Sequence, residues 1–143
     1  MSDISFADLG LAKEVLEAVQ KAGYEVPSPI QQQAIPALLK GKNLLGTAQT
    51  GTGKTAAFSL PLLSTLNFSH STPAMLVLTP TRELSIQVAE AIQSFAIAMP
   101  KIRALAIYGG QDINVQLKAL KRNISIVVAT PGRLLDHIRR GSI

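Results

Sequence analysis

Ala48-Gln49-Thr50-Gly51-Thr52-Gly53-Lys54-Thr55 is the segment from which the fold of this chain is predicted most directly. A short apolar run, Asn43–Leu45, precedes it, and a segment with helical bias follows it. This order predicts a β-strand, a glycine-rich loop and an α-helix in succession. Gly51 and Gly53 let the backbone turn N–H groups toward phosphate oxygens, and Lys54 adds a positive charge. The Thr55 hydroxyl suits a Mg²⁺ ion, so the segment predicts a nucleoside triphosphate site.

One position of this segment departs from the general pattern of phosphate-binding loops. That pattern has glycine first, whereas this chain has Ala48 there and Gly46 two residues earlier. The alternative interpretation is a turn rich in glycine and threonine that opens an ordinary helix. Because the strand, the lysine, the hydroxyl and the helix follow in the required order, nucleotide binding is the stronger interpretation.

Length and composition predict a single globular domain. The 143 residues are 47% hydrophobic and include no cysteine, which excludes disulfides and thiolate metal sites. No apolar run reaches the length of a membrane span, and Met1–Ser5 contains no basic segment ahead of an apolar one. We therefore predict a cytoplasmic protein without a membrane partner.

Positive charge is concentrated in the C-terminal third. Residues 101–143 contain eight Lys or Arg and two Asp or Glu, whereas residues 1–47 contain four and five. This surplus favours an anionic polymer as partner, but a solvated helix face that carries the same residues explains it equally well.

Hydrophobic periodicity predicts helices that alternate with strands. Helices are expected at Leu11–Lys21, at Pro29–Leu39, from the glycine loop to about Leu66, at Leu84–Phe95, at Ile113–Leu120 and from Pro131 to Arg140. Besides the apolar run before residue 48, strands are expected at Met75–Leu78, Ile102–Tyr108 and Ile124–Ala129. The alternation predicts an α/β fold with a parallel, doubly wound sheet and helices on both faces.

The turns after the later strands are candidate ligand sites, because such sheets bind ligands at the carboxyl ends of their strands. These turns are Thr79–Glu83, Gly109–Asp112 and Thr130–Arg133. Structure alone explains each of them, since threonine can cap a helix, proline suits a first turn and two glycines form a tight turn. Arg82 and Arg133, however, lie just inside two predicted helix starts, where stability favours Asp or Glu. The turns therefore predict an anion-binding edge.

Aromatic residues are scarce, with no Trp, two Tyr and four Phe, so few side chains can stack on bases. A nucleic acid at this edge would be held through phosphate and sugar. We therefore predict a preference for single strands with little dependence on base sequence.

Together these segments resemble the first RecA-like domain of a DEAD-box ATP-dependent RNA helicase. Phe6 with Gly23–Gln31 resembles the Q motif of that family, and Ala48–Thr55 resembles its motif I, which tolerates alanine at the first position. Pro80–Leu84 is similar to motif Ia, Gly109-Gly110 to the double-glycine motif and Thr130–Arg133 to motif Ib. Within the family, the chain is most similar to bacterial members associated with cold shock and ribosome assembly.

The resemblance implies ATP, Mg²⁺ and RNA as ligands. Gln31 would hydrogen-bond the adenine edge and select ATP over GTP, and Phe6 or Tyr24 would pack on the base. The structural alternative for Gln31 is an amide on the helix surface. The structural alternative for Phe6 is packing in the core. The implied nucleotide-binding residues are Phe6, Tyr24, Gln31, Ala48, Gln49, Thr50, Gly51, Thr52, Gly53, Lys54 and Thr55, of which Lys54 and Thr55 would serve catalysis and Thr55 the metal. The implied RNA-binding residues are Pro80, Thr81, Arg82, Glu83, Gly109, Gly110, Gln111, Thr130, Pro131, Gly132 and Arg133. Contacts to 2′-hydroxyl groups would distinguish RNA from DNA.

The resemblance also implies an incomplete domain. Residues 1–40 would form the Q-motif region with N-terminal helices, and residues 41–143 a partial RecA-like P-loop NTPase domain that stops before the Asp-Glu-Ala-Asp motif. Ser28 keeps a hydroxyl where most members have Thr, and Thr79 and Ser85 stand where Ala is common, with little expected consequence.

The implied parent protein would unwind short RNA duplexes and hydrolyse ATP. This chain alone is expected to hydrolyse ATP negligibly, because half of the charge-stabilising groups are missing, and to be marginally stable because its sheet has an unpaired edge. The alternative function is a non-catalytic nucleotide-binding or regulatory module.

Overall fold

The computed structural model describes residues 4–48, 53–69 and 72–143. These residues form two compact units. The first comprises the chain up to Leu66 together with Ser94–Met99, and the second comprises Asn67–Gln93 and Pro100–Ile143. The domain boundary predicted near residue 40 stays a prediction.

The first unit contains a 3₁₀ turn and three helices. The turn is Phe6–Asp8, and the helices are α1 (Lys13–Lys21), α2 (Pro29–Leu39) and α3 (Lys54–Thr65). α2 begins where the sequence predicts, because the Ser28 side chain caps the Gln31 N–H and Pro29 occupies the first helical position. α2 packs against α3, and their buried apolar side chains include Ile35 and Leu60.

The second unit alternates strands and helices. Its elements are β1 (Met75–Leu78), α4 (Arg82–Phe95, all but its last two residues), β2 (Ala104–Ile107), α5 (Ile113–Leu120), β3 (Ile126–Ala129) and α6 (Pro131–Arg140). The three strands form a parallel sheet in the order β1-β3-β2, with Met75 and Ala104 both opposite Ile126. The predicted parallel α/β architecture is therefore confirmed.

β3 is the central strand, and all four of its residues are buried. Val127 and Ala129 contribute to a core with Ile107, Ile124 and Leu134. The connection through α4 leads from β1 past β3 to β2, and the connection through α5 returns to β3. Because both crossovers are expected to be right-handed, α4 and α5 cover opposite faces of the sheet.

The strand predicted at Asn43–Leu45 is wrong. Residues 42–48 form no strand, and Leu45 is 95% exposed. A β-strand needs a partner for its backbone N–H and C=O groups, and within the described residues β1 and β2 each pair with β3 alone. The apolar run therefore remains unpaired and exposed, and Leu76 and Leu78 on β1 are also exposed, by 55% and 57%.

The helices in the described part of the chain lack the length and apolar character that crossing a bilayer requires.

Candidate nucleotide and nucleic-acid sites

The start of α3 carries the described part of the predicted phosphate loop. Gly53 precedes the helix with φ 84°, a left-handed conformation that favours glycine. Lys54 is the first helical residue and is exposed, and Thr55 follows it half-buried. Its N-cap residue, Gly53, has no side chain, so within the described residues no N-cap side-chain oxygen occupies the first N–H groups of the helix. Gln49, Thr50, Gly51 and Thr52 lie outside the described residues.

Gln31 joins the start of α2 to the start of α3. The residue is 8% exposed, its Oε1 accepts from the Ser28 N–H at 2.9 Å, and its Nε2 donates to the Gly53 carbonyl at 3.2 Å. The predicted Q-motif glutamine and the last glycine of the phosphate loop are therefore in direct contact. This contact excludes the alternative of a solvated surface amide for Gln31.

Phe6 and Tyr24, the two predicted base-packing residues, contact each other. Their ring centroids are 6.2 Å apart, and the Phe95 ring centroid lies 6.3 Å from that of Tyr24. Phe6 is 3% exposed and belongs to the core, whereas Tyr24 is 47% exposed. Of the pair, Tyr24 is the ring with a face available to a ligand.

A cleft of about 340 Å³ lies between α2, α3 and the segment before residue 48. Its walls are mainly apolar and include Ile30, Ala34 and Phe58, and Lys54 is its charged lining residue. Apolar walls do not suit a triphosphate, so we do not assign the cleft to the phosphates.

In the second unit, motif Ia opens α4. Thr81 caps the helix, with its Oγ1 accepting from the Leu84 N–H at 3.2 Å, which confirms the predicted cap. Arg82 is exposed, and its Cζ lies 5.1 Å from the centroid of the Tyr108 ring, which follows β2. The contact shows that the turns after β1 and β2 meet at the carboxyl edge of the sheet, and it holds the guanidinium over an aromatic face.

Thr79 and Ser85 form a buried hydrogen bond that the sequence did not predict. They are 4% and 0% exposed, and their hydroxyl groups hydrogen-bond each other. Ser85 Oγ also donates to the Thr81 carbonyl at 3.1 Å. Thr79 and Ser85, which stand where alanine is common in the resembling family, therefore stabilise the motif Ia turn through these hydrogen bonds.

The double-glycine turn and motif Ib lie at the same edge, after β2 and β3. Gly110 has φ 87°, which explains a glycine there. Thr130 is the N-cap residue of α6, as predicted, and Pro131 is the first helical residue, but the Thr130 side chain makes no capping hydrogen bond. The start of α6 thus lacks a side-chain cap, as a helix start that binds a phosphate requires.

Arg133 points inward rather than away from the protein. Its Nη1 donates to the Gln111 carbonyl at 2.8 Å and to Gln116 Oε1 at 3.2 Å, and its Nε lies 3.6 Å from Asp136 Oδ2. The side chain is 14% exposed. Arg82 and Arg133 thus share the carboxyl edge as predicted, but Arg82 is the exposed cation of the two.

The remaining cations of residues 101–143 are exposed and lie elsewhere. Lys101 and Arg103 precede β2, and Lys118, Lys121 and Arg122 precede β3, at the amino end of the sheet. Arg103 Nη1 donates to the Arg122 carbonyl at 3.4 Å. The basic surplus is therefore largely separate from the carboxyl edge, and both interpretations of it stay predictions.

His137 is a fully buried residue that the sequence analysis missed. Its Nε2 lies 2.8 Å from Gln116 Oε1 and its Nδ1 lies 2.7 Å from Ser142 Oγ. Because Gln116 Oε1 can only accept, Nε2 carries the proton in the neutral ring. Burial lowers the pKa of His137, and the positive charges of Arg133 and Arg140 lower it further against the opposing effect of Asp136.

This lowered pKa predicts a loss of stability in mild acid. The unfolded chain binds a proton at His137 below about pH 6.5, where the folded chain still resists it. The stabilising contribution is therefore complete above that pH and is lost as the pH falls toward the folded pKa. Urea denaturation between pH 7.5 and 5.5 should show this loss, and His137→Gln should flatten it. Equal pH dependence in both chains would contradict the assignment.

Gln116 was also missed, because a glutamine is exposed in most proteins and its residue type therefore does not indicate burial. The spacing of Gln116 three residues after Ile113 on an otherwise apolar helix face was the available clue.

Within the described residues, no group of three His, Cys, Asp or Glu side chains is placed to hold a metal ion. A Mg²⁺ ion held by the Thr55 hydroxyl, phosphate oxygens and water needs no such group.

The family assignment follows from comparison with known proteins. Residues 28–143 match the model of the DEAD/DEAH box helicase family. The chain belongs to this family.

Individual relatives carry more specific names. The chain is 56% identical to "ATP-dependent RNA helicase DeaD" of Escherichia coli (strain K12) over 99% of its own length and 22% of that protein. It is 55% identical to the protein of the same name from Haemophilus influenzae, over 98% of its own length and 23% of that protein. The chain thus spans less than a quarter of the length of these relatives.

Two solved structures are similar to this one. A DEAD box protein from the hyperthermophile Methanococcus jannaschii has a TM-score of 0.89 and 44% identity, over 97% of this chain and 38% of that chain. A hypothetical ATP-dependent RNA helicase from Sulfolobus tokodaii has a TM-score of 0.80 and 37% identity, over 93% of this chain and 38% of that chain. Both support the RecA-like α/β assignment.

Proposed function

We propose that this chain is the ATP-binding and RNA-binding part of an ATP-dependent RNA helicase that acts in the cytoplasm and separates short RNA duplexes. The observation that carries the proposal is the hydrogen bond from Gln31 Nε2 to the Gly53 carbonyl. It brings the adenine-selecting residue and the phosphate loop, which are 22 positions apart in sequence, to one place. Family membership and the relatives' names support the same function.

The Gln31 amide has the groups that adenine needs. Its Oε1 accepts one hydrogen bond and its Nε2 donates one, which leaves a lone pair and an N–H. Adenine offers an amino donor next to a ring-nitrogen acceptor, which complements that pair. Guanine offers a carbonyl oxygen in place of the amino group, so the lone pair of Oε1 would face another acceptor. Gln31 thus favours ATP over GTP.

Lys54 and Thr55 would hold the phosphates and Mg²⁺ at the uncapped start of α3. The Lys54 ammonium and the helix N–H groups stabilise negative charge on the outer phosphates, and this stabilisation increases as charge develops during phosphoryl transfer. The metal would neutralise phosphate charge when bound.

RNA would bind the carboxyl edge of the sheet in the second unit. Arg82 supplies an exposed charge, the Gly109-Gly110 turn allows close backbone approach, and the start of α6 has N–H groups that the Thr130 side chain does not cap. These groups contact phosphate and sugar, so the proposed binding depends little on base sequence.

The nucleotide part is tested by measuring ATP and GTP binding to the chain and to Gln31→Ala by calorimetry. We expect Gln31→Ala to weaken ATP binding and to reduce the preference for ATP over GTP. The exposed amide Gln33, on the same helix, provides the control Gln33→Ala. If Gln31→Ala and Lys54→Ala both bind ATP like the unaltered chain, the nucleotide assignment is wrong.

The RNA part predicts an effect of Arg82→Met. Losing one phosphate contact should weaken binding of a single-stranded RNA about three- to tenfold, and should reduce the slope of log K against log salt concentration by about 0.7. Fluorescence anisotropy at several salt concentrations measures both quantities. Arg139→Met removes the same charge from an exposed position at the end of α6 and serves as the control. Equal losses in the two variants would show a general charge effect and contradict a contact at Arg82.

A further inference from the structure

Gln116 is buried at the centre of a polar network behind the carboxyl edge. Its residue exposure is 1%. Nε2 donates to the Tyr108 carbonyl and to Gln111 Oε1, each at 2.9 Å. Oε1 accepts from Arg133 Nη1 at 3.2 Å and from His137 Nε2 at 2.8 Å. A primary amide has two N–H donors and two acceptor lone pairs, so all four are used.

The four partners belong to two separate segments of the chain. Tyr108 and Gln111 flank the double-glycine turn after β2, whereas Arg133 and His137 lie in the first and second turns of α6. A further hydrogen bond joins the same two segments, because Arg133 Nη1 also donates to the Gln111 carbonyl. Gln116 therefore sets the distance between the double-glycine turn and the start of α6, and it fixes the orientation of the Arg133 guanidinium.

We infer that Gln116 is a positioning residue for RNA binding. This inference rests on the proposed function, in which the double-glycine turn and the start of α6 contact successive parts of one RNA backbone. Neighbouring phosphates of a strand are separated by a limited range of distances, so two binding segments contribute together best when their own separation falls within that range. Gln116 contacts no RNA in this arrangement and acts through the segments that do.

Methionine is a suitable replacement, because it has nearly the volume and length of glutamine but cannot form these hydrogen bonds. The matched control is Gln93→Met. The Gln93 amide also ties down β2, with Nε2 donating to the Ile102 carbonyl and Oε1 accepting from the Ala104 N–H, each at 2.9 Å. That tie is at the amino end of the strand, away from the proposed RNA edge.

We expect Gln116→Met to weaken binding of single-stranded RNA by roughly three- to tenfold at fixed salt concentration. Gln93→Met should bind RNA like the unaltered chain, and neither variant should change ATP affinity. If Gln116→Met does not fold, Gln116→Glu replaces it. Glutamate keeps the acceptor for Arg133 and His137 but cannot donate to Tyr108 and Gln111, so RNA binding should again be weaker.

A spectroscopic measurement tests the network without RNA. The ¹⁵N shifts of the His137 imidazole should report an Nε2 proton in the unaltered chain and in Gln93→Met, and a changed tautomer balance in Gln116→Met.

The outcomes separate the inference from the proposed function. If Arg82→Met weakens RNA binding and the folded Gln116 variant does not, the positioning role is overturned and the proposed edge stands. If Arg82→Met leaves RNA binding unchanged, the proposed edge is overturned and the positioning role with it. Unchanged His137 shifts in Gln116→Met would overturn the network on which the inference depends.

Discussion

Replacing Lys54 with alanine should lower the affinity of the chain for ATP roughly 30- to 100-fold. Lys54 is exposed at the first position of α3, and the N-cap residue before it, Gly53, has no side chain with which to cap the helix N–H groups. Its ammonium would contact the outer phosphates, where charge density is highest, and hydrogen bonds between charged groups are the stronger kind. Isothermal titration with ATP and Mg²⁺ gives the dissociation constants directly.

The control for this variant is Lys42→Ala, which removes an exposed lysine from the segment between α2 and the phosphate loop. It should change ATP affinity less than twofold, as expected for a screened surface charge. AMP lacks the outer phosphates, so its affinity should change much less than that of ATP in Lys54→Ala. A similar loss for AMP and ATP would place Lys54 away from the outer phosphates.

Gly53→Ala should both destabilise the first unit and weaken ATP binding. The backbone at Gly53 has φ 84°, and an alanine in the left-handed region costs roughly 1–2 kcal/mol. An added Cβ would also overlap the Gln31 side-chain amide, which would have to leave the position that links it to the Gly53 carbonyl. Urea denaturation and ATP titration of the same variant measure the two effects.

Gly41→Ala separates the two causes. Gly41 has φ 77°, and a Cβ added there meets no atom within 4 Å. Gly41→Ala therefore introduces the backbone strain without an overlap between the added Cβ and another side chain. It should leave ATP affinity unchanged. In a Gln31→Ala background the collision disappears, so Gly53→Ala should then cost less stability than in the unaltered chain. Equal costs in the two backgrounds would show that Gln31 does not occupy the observed position.

Most element boundaries could be predicted because local chemistry specifies them. α2 was predicted and observed at Pro29–Leu39, since Ser28 and Pro29 favour a helix start and Gly41 takes up a positive φ just after its end. β1, α5 and α6 also agree with the sequence analysis. β2 and β3 are shorter than predicted, because Ile102 and Ile124 are buried without belonging to the strand ladder.

Features that depend on distant residues could not be predicted in the same way. The apolar run Asn43–Leu45 has the composition of a strand, but pairing depends on a neighbouring backbone and not on the run itself. The sequence likewise placed Arg133 at a helix start without indicating that Gln111 and Gln116 accept its N–H groups. Side-chain direction in a network of this kind depends on the full set of partners.

The central position of β3 has a consequence for synthesis on the ribosome. β1 and β2 are made first, yet each has its backbone partner in β3, which is the last strand of the described chain. Neither strand can pair natively until residues 126–129 have emerged, so the nascent second unit carries unpaired apolar segments during translation. Native pairing in this unit should therefore begin only when β3 emerges from the exit tunnel, because β1 and β2 then gain their backbone partner.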